Sequence, residues 1–296
     1  MRPSQCLVYA ASIALLAACA GADDSTPEPS SGAPARRVLV VGIDGARADA
    51  VVAADTPTLD RLAAEGAYSF QASTQLTAVA VSSPGWASVL TGVEADKHGT
   101  LDNATASGPS AAYPTLLARA RSDVGARTQV VANWLGLLTL VEDEAEGPAI
   151  WYPSDTTVTA RTLELIVGGA RDVYFAHFDD VDHAGHTYGF GPGVPEYIAA
   201  IEEKDAELGE LVAAIEARTD EEWLVLVTSD HGGEGTDHGA QNAANQTVFL
   251  VAWGAGVVPG ELVAATHMDT APTALAFLGL EISPAWDLDG EVVGLP

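Results

Sequence analysis

Basic side chains are scarce in this chain. There are 13 Lys+Arg against 41 Asp+Glu, a formal charge of -28 over 296 residues. A surface that grips DNA or RNA must neutralise phosphates with Lys and Arg, so a general nucleic-acid interface is excluded. The same arithmetic excludes a basic patch for anionic membranes. Cysteine is scarcer still. The two present, Cys6 and Cys19, both precede the body of the chain and cannot build a disulfide framework. Extended disorder is also excluded, because 48% of the residues are hydrophobic and the mean hydropathy is +0.16.

The first residues read as an address. Arg2 gives a positive start and residues 7–18 are almost wholly apolar, a run too short to span a bilayer. Residues 1–18 therefore read as a secretory signal. Leu16-Ala17-Ala18-Cys19 resembles the lipobox of bacterial lipoproteins. The resemblance implies cleavage before Cys19, lipid on its thiol, and a lipid-anchored protein of the bacterial cell envelope. In a Gram-negative host that means the outer membrane or the periplasmic face, and Ala20 is compatible with outer-membrane delivery. An ordinary signal peptide with a chance cysteine is the alternative. Cys6 leaves with the signal, so no thiol remains for catalysis. Residues 19–36 hold Ser, Pro, Gly, Ala, Asp and Glu without a large apolar side chain, and read as a flexible tether. A single catalytic domain is expected over 37–296.

That body alternates strand and helix signals. Runs at 38–43, 128–132, 173–178, 223–228 and 247–253 are rich in β-branched and apolar residues, the mark of buried strands. Helices are expected from Thr56-Pro57 to 64, from Ser83-Pro84 to Gly92, over 195–218 and over 270–278. The alternation predicts an α/β domain with a mainly parallel sheet. The acidic charge is spread over helices and loops, as on a solvated surface.

Four groups of ionisable or nucleophilic residues follow expected strands or open helices, where α/β folds gather their sites. Asp44 ends the first strand, although an Asp-Gly pair also makes turns. Ser82 and Ser83 stand at a helix start, where hydroxyls can cap the helix or meet an anion. Asp182 and His186 are four apart, on one side of a helical turn. Their neighbours His183, Asp179 and Asp180 read as flanking or solvated groups, and His177 as a satisfied core histidine. Asp230-His231 follows another strand, with His238 close behind. Together these are three carboxylates and three imidazoles, donors suited to two divalent ions such as zinc.

The order and spacing of these groups resemble the alkaline phosphatase superfamily, in particular its type I phosphodiesterase and nucleotide pyrophosphatase branch. The resemblance rests on VLVVGIDGARAD, TPTLDRLAAEGAYS, SSPGWASVLTGVEADKHG, VDHAGHTYGFGP, SDHGG and HGAQN, which run in order from Val38 towards the end of the chain. It implies an α/β/α sandwich of alkaline phosphatase type. It implies one metal on Asp182, His186 and His238, and a second on Asp44, Asp230, His231 and the oxygen of Ser82. Ser82 would be the nucleophile, forming a phospho-serine, and Asn103 would hold a phosphoryl oxygen together with the backbone N–H after Ser82. The implied activity is hydrolysis of a small phosphate ester, a diester or pyrophosphate foremost, with two divalent ions, zinc by family habit.

Two features depart from that branch. Serine replaces the threonine usual at the nucleophile position of eukaryotic-type phosphodiesterases, which leaves monoester hydrolysis as an alternative. The segment after Asp230-His231 is short, so fewer contacts to substrate are expected. Sulfatases share the fold, but Gly85 and Trp86 stand where their modification motif needs Ser and Arg, so sulfatase is a weak alternative. A phosphotransferase and a metal-binding lipoprotein without turnover complete the set. Arg47, Lys97 and His98 read as structural. Trp86, Trp134 and Tyr188 could stack a base or pack in the core.

Overall fold

The β-branched run at the start of the body forms β1 (Ala35–Ile43), whose last seven residues are fully enclosed. The computed structural model describes residues 34–74, 77–104, 109–141 and 149–296. The signal, Cys19 and all but the last three residues of the tether lie outside the described residues. β1 starts two residues before the expected domain boundary, because Ala35 and Arg36 already pair with Glu221 and Glu222.

Among the described residues eight strands form one sheet. After β1 come β2 (Ala67–Ser73), β3 (Thr128–Ala132), β4 (Ile150–Trp151), β5 (Val173–Phe178), β6 (Glu221–Thr228), β7 (Thr247–Gly254) and β8 (Gly260–Glu261). Their order across the sheet is β4-β3-β5-β1-β6-β7-β2-β8. β1 pairs in parallel with β5 and β6, while β7 runs antiparallel to both its neighbours. The helices are α1 (Ala48–Ala53), α2 (Pro57–Glu65), α3 (Ser82–Thr91), α4 (Ala95–His98), α5 (Leu116–Val124) and α6 (Leu135–Val141). They continue as α7 (Asp155–Gly168), α8 (Asp180–Tyr188), α9 (Pro195–Glu216), α10 (Ala243–Gln246) and α11 (Thr270–Phe277). Among the described residues no helix is long and apolar enough to cross a membrane.

Strand alternation sends side chains to two cores. Leu39, Val41 and Ile43 join Tyr174, Phe178, Val225 and Val227 under α1, α2, α7 and α9. Val38 and Val40 join Phe175, Leu224 and Leu226 under α3, α5 and α11. A sheet covered on both faces is the reason its strands read as continuous apolar runs rather than alternating ones. The result is the α/β/α sandwich expected from the sequence. β1, β5 and β6 lie side by side at the centre, so the residues just past their ends meet at one edge.

Candidate active site

Asp44, the residue after β1, is fully buried. Its Oδ2 accepts from Trp86 Nε1 at 2.9 Å and lies 3.1 Å from His177 Nε2. Its Oδ1 has no hydrogen-bond partner among the described residues and lies 3.4 Å from His231 Nε2. Asp230, after β6, is also fully buried; Oδ1 accepts from Gly45 N–H at 3.1 Å, and the partnerless Oδ2 lies 3.4 Å from His231 Nε2. His231 Nδ1 donates to the Gly232 carbonyl at 2.8 Å, which turns the Nε2 lone pair towards the two carboxylates.

Ser82 is the first residue of α3, after an N-cap at Val81, so neither serine caps the helix. Ser82 Oγ lies 3.3 Å from His231 Nε2. Asn103 reaches the same helix start: its Oδ1 accepts from Ser83 N–H at 2.8 Å. The N–H after Ser82, expected to face a phosphoryl oxygen, thus donates to Asn103 in this structure.

The second trio is built on α8. Asp182 and His186 face the same way one turn apart, with His186 Nε2 at 3.3 Å from Asp182 Oδ2. His186 Nδ1 donates to the Thr236 carbonyl at 3.0 Å, again freeing Nε2. His238 arrives from the loop after β6 and brings Nε2 to 3.8 Å from Asp182 Oδ1. Asp182 packs against Gly45, whose φ of +67° leaves no place for a side chain: a Cβ there would lie 2.6 Å from Asp182 Oδ1.

These positions fit metal ions. Asp44, Asp230 and His231 form one group with ligand atoms within 4.8 Å of one another, and Asp182, His186 and His238 form another. In each, lone pairs face lone pairs, an arrangement that only a cation or protons stabilise. Burial, then the nearby Asp230 charge, pushes the Asp44 carboxyl well above its ordinary range. Burial does the same to Asp230, partly offset by the Gly45 N–H. Burial and neighbouring His231 push His238 down to about 4. Burial thus disfavours both the carboxylate charges and a proton on His238, a strain that a divalent cation replacing the protons would relieve.

Sequence reasoning missed two participants. His177 is a working neighbour of Asp44 rather than a satisfied core histidine: burial lowers its pKa, Nε2 meets Asp44 and Nδ1 has no partner. With Asp179 and Asp44 it forms a third overlapping group, although Asp44 Oδ2 already accepts from Trp86. Trp86 is fully buried, so it orients Asp44 and cannot stack on a substrate. Trp134 stacks on His177 with ring centroids 6.2 Å apart, and Tyr188 is exposed. His183 is exposed and reaches Asp179 at 3.3 Å. Arg47 forks onto Asp49, Lys97 bonds Asp289, and His98 is buried against Ser88.

A family model described as "Type I phosphodiesterase / nucleotide pyrophosphatase" matches residues 38–108 and 117–274. Among curated proteins, the phosphopentomutase of Shewanella loihica is 34% identical over 127 residues, covering 40% of this chain and 28% of that protein. GPI ethanolamine phosphate transferase 1 of Yarrowia lipolytica is 33% identical over 106 residues, covering 35% of this chain and 11% of that protein. The chain thus spans under a third of the length of either relative. Among solved structures, murine ectonucleotide pyrophosphatase / phosphodiesterase 5 in complex with AMP is similar, with a TM-score of 0.67 at 16% identity, over 86% of this chain and 99% of that one. A 2-O GAG sulfatase gives a TM-score of 0.70 at 12% identity, over 88% of this chain and 73% of that one.

Proposed function

Because the chain belongs to the type I phosphodiesterase / nucleotide pyrophosphatase family, we propose that it is a two-metal phosphodiesterase working through a phospho-serine on Ser82. The observation that carries this reading is the placement of Ser82 Oγ, 3.3 Å from His231 Nε2 at the start of α3, beside two buried carboxylates. Asp44, Asp230, His231 and Ser82 would hold one divalent ion, and Asp182, His186 and His238 the other. Oxygen and imidazole donors without thiolate suit zinc. When bound, the ions supply Lewis acidity to the attacking and leaving oxygens.

The chain's own residues do the rest. Ser82 Oγ gives its proton to solvent and attacks phosphorus in line; the Oγ–P bond forms as the bond to the leaving alkoxide breaks, and the alkoxide takes a proton from water to leave as the alcohol. The amide nitrogen of Asn103 and the positive end of α3 face the phosphoryl oxygens. Water then hydrolyses the phospho-serine and restores Ser82. A monoester carries a further negative charge that calls for a cationic side chain. Arg47 and Lys97, the cations flanking the motifs, are engaged elsewhere, which favours a diester. The AMP bound to the murine structure makes nucleotide diesters the first class to try. Export and a lipid on Cys19 belong to the same proposal; the mass of the N-terminal peptide of the membrane-extracted protein tests them.

The test compares a phosphodiester, a phosphomonoester and a sulfate ester of one leaving group on the zinc-loaded protein, beside Ser82→Ala. The diester is expected to lead, and Ser82→Ala to lose at least about 10³-fold in turnover while retaining zinc. Unchanged turnover removes Ser82 from the mechanism. A monoester lead makes the protein a phosphatase, a sulfate lead overturns the motif argument, and zinc binding without turnover favours a binding lipoprotein. The names of the curated relatives give group transfer a place as second reading, and capture of the phosphoryl group by added alcohols would establish it.

A further inference from the structure

Lys204 sits in the middle of α9 with its side chain wholly enclosed. Its ammonium lies 3.0 Å from Glu207 Oε2 and 3.4 Å from both Asp155 Oδ2 and Asp180 Oδ2. Burial works to lower its pKa, but Asp155 and Glu207 outweigh that and hold it above the ordinary value, so it is charged. A buried ion cluster is weak evidence for stability, because desolvation cancels much of the attraction. The direction of the bonds shows another use.

Asp155, at the start of α7, is fully buried and spends its oxygens on the start of a different helix. It accepts from Asp179 N–H and Asp180 N–H, each at 2.9 Å, and from Asn133 Nδ2 at 3.0 Å. Asp179 and Asp180 are the N-cap and first residue of α8, and Asp179 makes no side-chain cap bond of its own. Asp155 therefore caps α8 from outside, tying it to α7, α9 and the end of β3. Two residues after Asp180 comes Asp182. Its carboxylate sits where a Gly45 side chain would otherwise be and brings Oδ1 to 3.8 Å from His238 Nε2, so a displacement of the first turn of α8 moves it relative to His238. Glu207 also accepts from the hydroxyls of Thr156 and Thr159, so Lys204 ties an anchored carboxylate on its own helix to Asp155.

We propose that Asp155, held by Lys204, is a positioning residue that fixes the first turn of α8 and so aims Asp182 at His186 and His238. The inference rests on the reading of that trio as metal ligands. Asp155→Asn keeps the size but puts an amide nitrogen where N–H donors need an acceptor; Lys204→Met removes the charge and keeps the length. Two measurements on the full chain decide. The first is zinc affinity by chelator competition, with Asp230→Asn added in parallel to leave only the Asp182 group. The second is amide hydrogen exchange of the metal-free protein. Asp155→Asn is expected to weaken the Asp182 group about 10–100-fold and the other group by less than about threefold. Amides of α8 are expected to exchange faster while those of β1 and β6 hold, with Lys204→Met giving a smaller change of the same kind. Equal weakening of both groups in step with a global loss of Tm, or unchanged α8 exchange and unchanged affinities, would overturn the proposal. If the parent protein binds no zinc, the metal reading fails by itself, and the exchange measurement still decides whether Asp155 fixes α8.

Discussion

At the scale of single residues, the site depends on which oxygen of a carboxylate is free. Trp86 and His177 take one oxygen of Asp44, so the other is left facing His231. Replacing Trp86 with Phe keeps an aromatic ring in the core, gives up part of the packing volume and removes one hydrogen bond to a charged group, worth about 1.5–3 kcal/mol. We expect Trp86→Phe to weaken zinc at the Asp44 group and to lower kcat/KM about tenfold, with the Asp182 group unaffected. Chelator competition checks this, and equal losses at both groups would show that Trp86 acts only through packing. The candidate ligands themselves were legible in the sequence because Asp44, Asp230 and His231 follow closely on apolar strands, where an ionisable residue needs a partner. Trp86 and His177 were not legible. A tryptophan inside an apolar helix and a histidine inside an apolar strand look like core, and only the fold reveals that their polar atoms converge on Asp44.

At the scale of elements, close approach of α3 to the turn after β6 puts Ser82 in place. Gly85 lies against the Asp230 backbone: a Cβ there would meet the Asp230 carbonyl oxygen at 2.7 Å. Neither partner is a flexible side-chain tip, so Gly85→Ala must push α3 away. The expected outcome is a fall in kcat of at least about 30-fold, since misplacement by an ångström is enough for losses of that order. A steady-state assay beside a thermal melt checks it; activity retained at parental levels would show that α3 has room to give. The five strands read from the sequence all form, since each is long, apolar and enclosed on both faces. β4 and β8, two residues each, carry no pattern to read. β2, between β7 and the two-residue edge strand β8, escaped because its half-buried run mixes Ser, Gln and aromatics. α8 was legible only through its spacing of Asp182 and His186, because its start is secured by Asp155, a residue far away in sequence.

At the scale of the molecule, charge dominates. With 41 acidic against 13 basic side chains, the surface repels itself and repels anionic substrates. Salt shortens the range of such repulsion from about 10 Å at 0.1 M to about 3 Å at 1 M. Raising NaCl across that range should lift Tm by about 3–6 °C. It should also raise kcat/KM for an anionic diester about threefold while leaving kcat alone, as expected for an effect on encounter. Melts and initial rates at several salt concentrations check both, and a fall in kcat/KM with salt would mean that local positive potential at the site outweighs the global field.

The place of β1 at the centre of the sheet sets a schedule as well as a shape. Val38 pairs with Val173 on one side and Leu224 on the other, both more than a hundred positions downstream. During synthesis the Val-rich segment made first must wait, with both edges open, until most of the polypeptide exists. Pairings this distant slow folding and expose sticky intermediates. A prematurely terminated product would display that segment to chaperones and proteases, so quality control can recognise an incomplete molecule by its earliest strand.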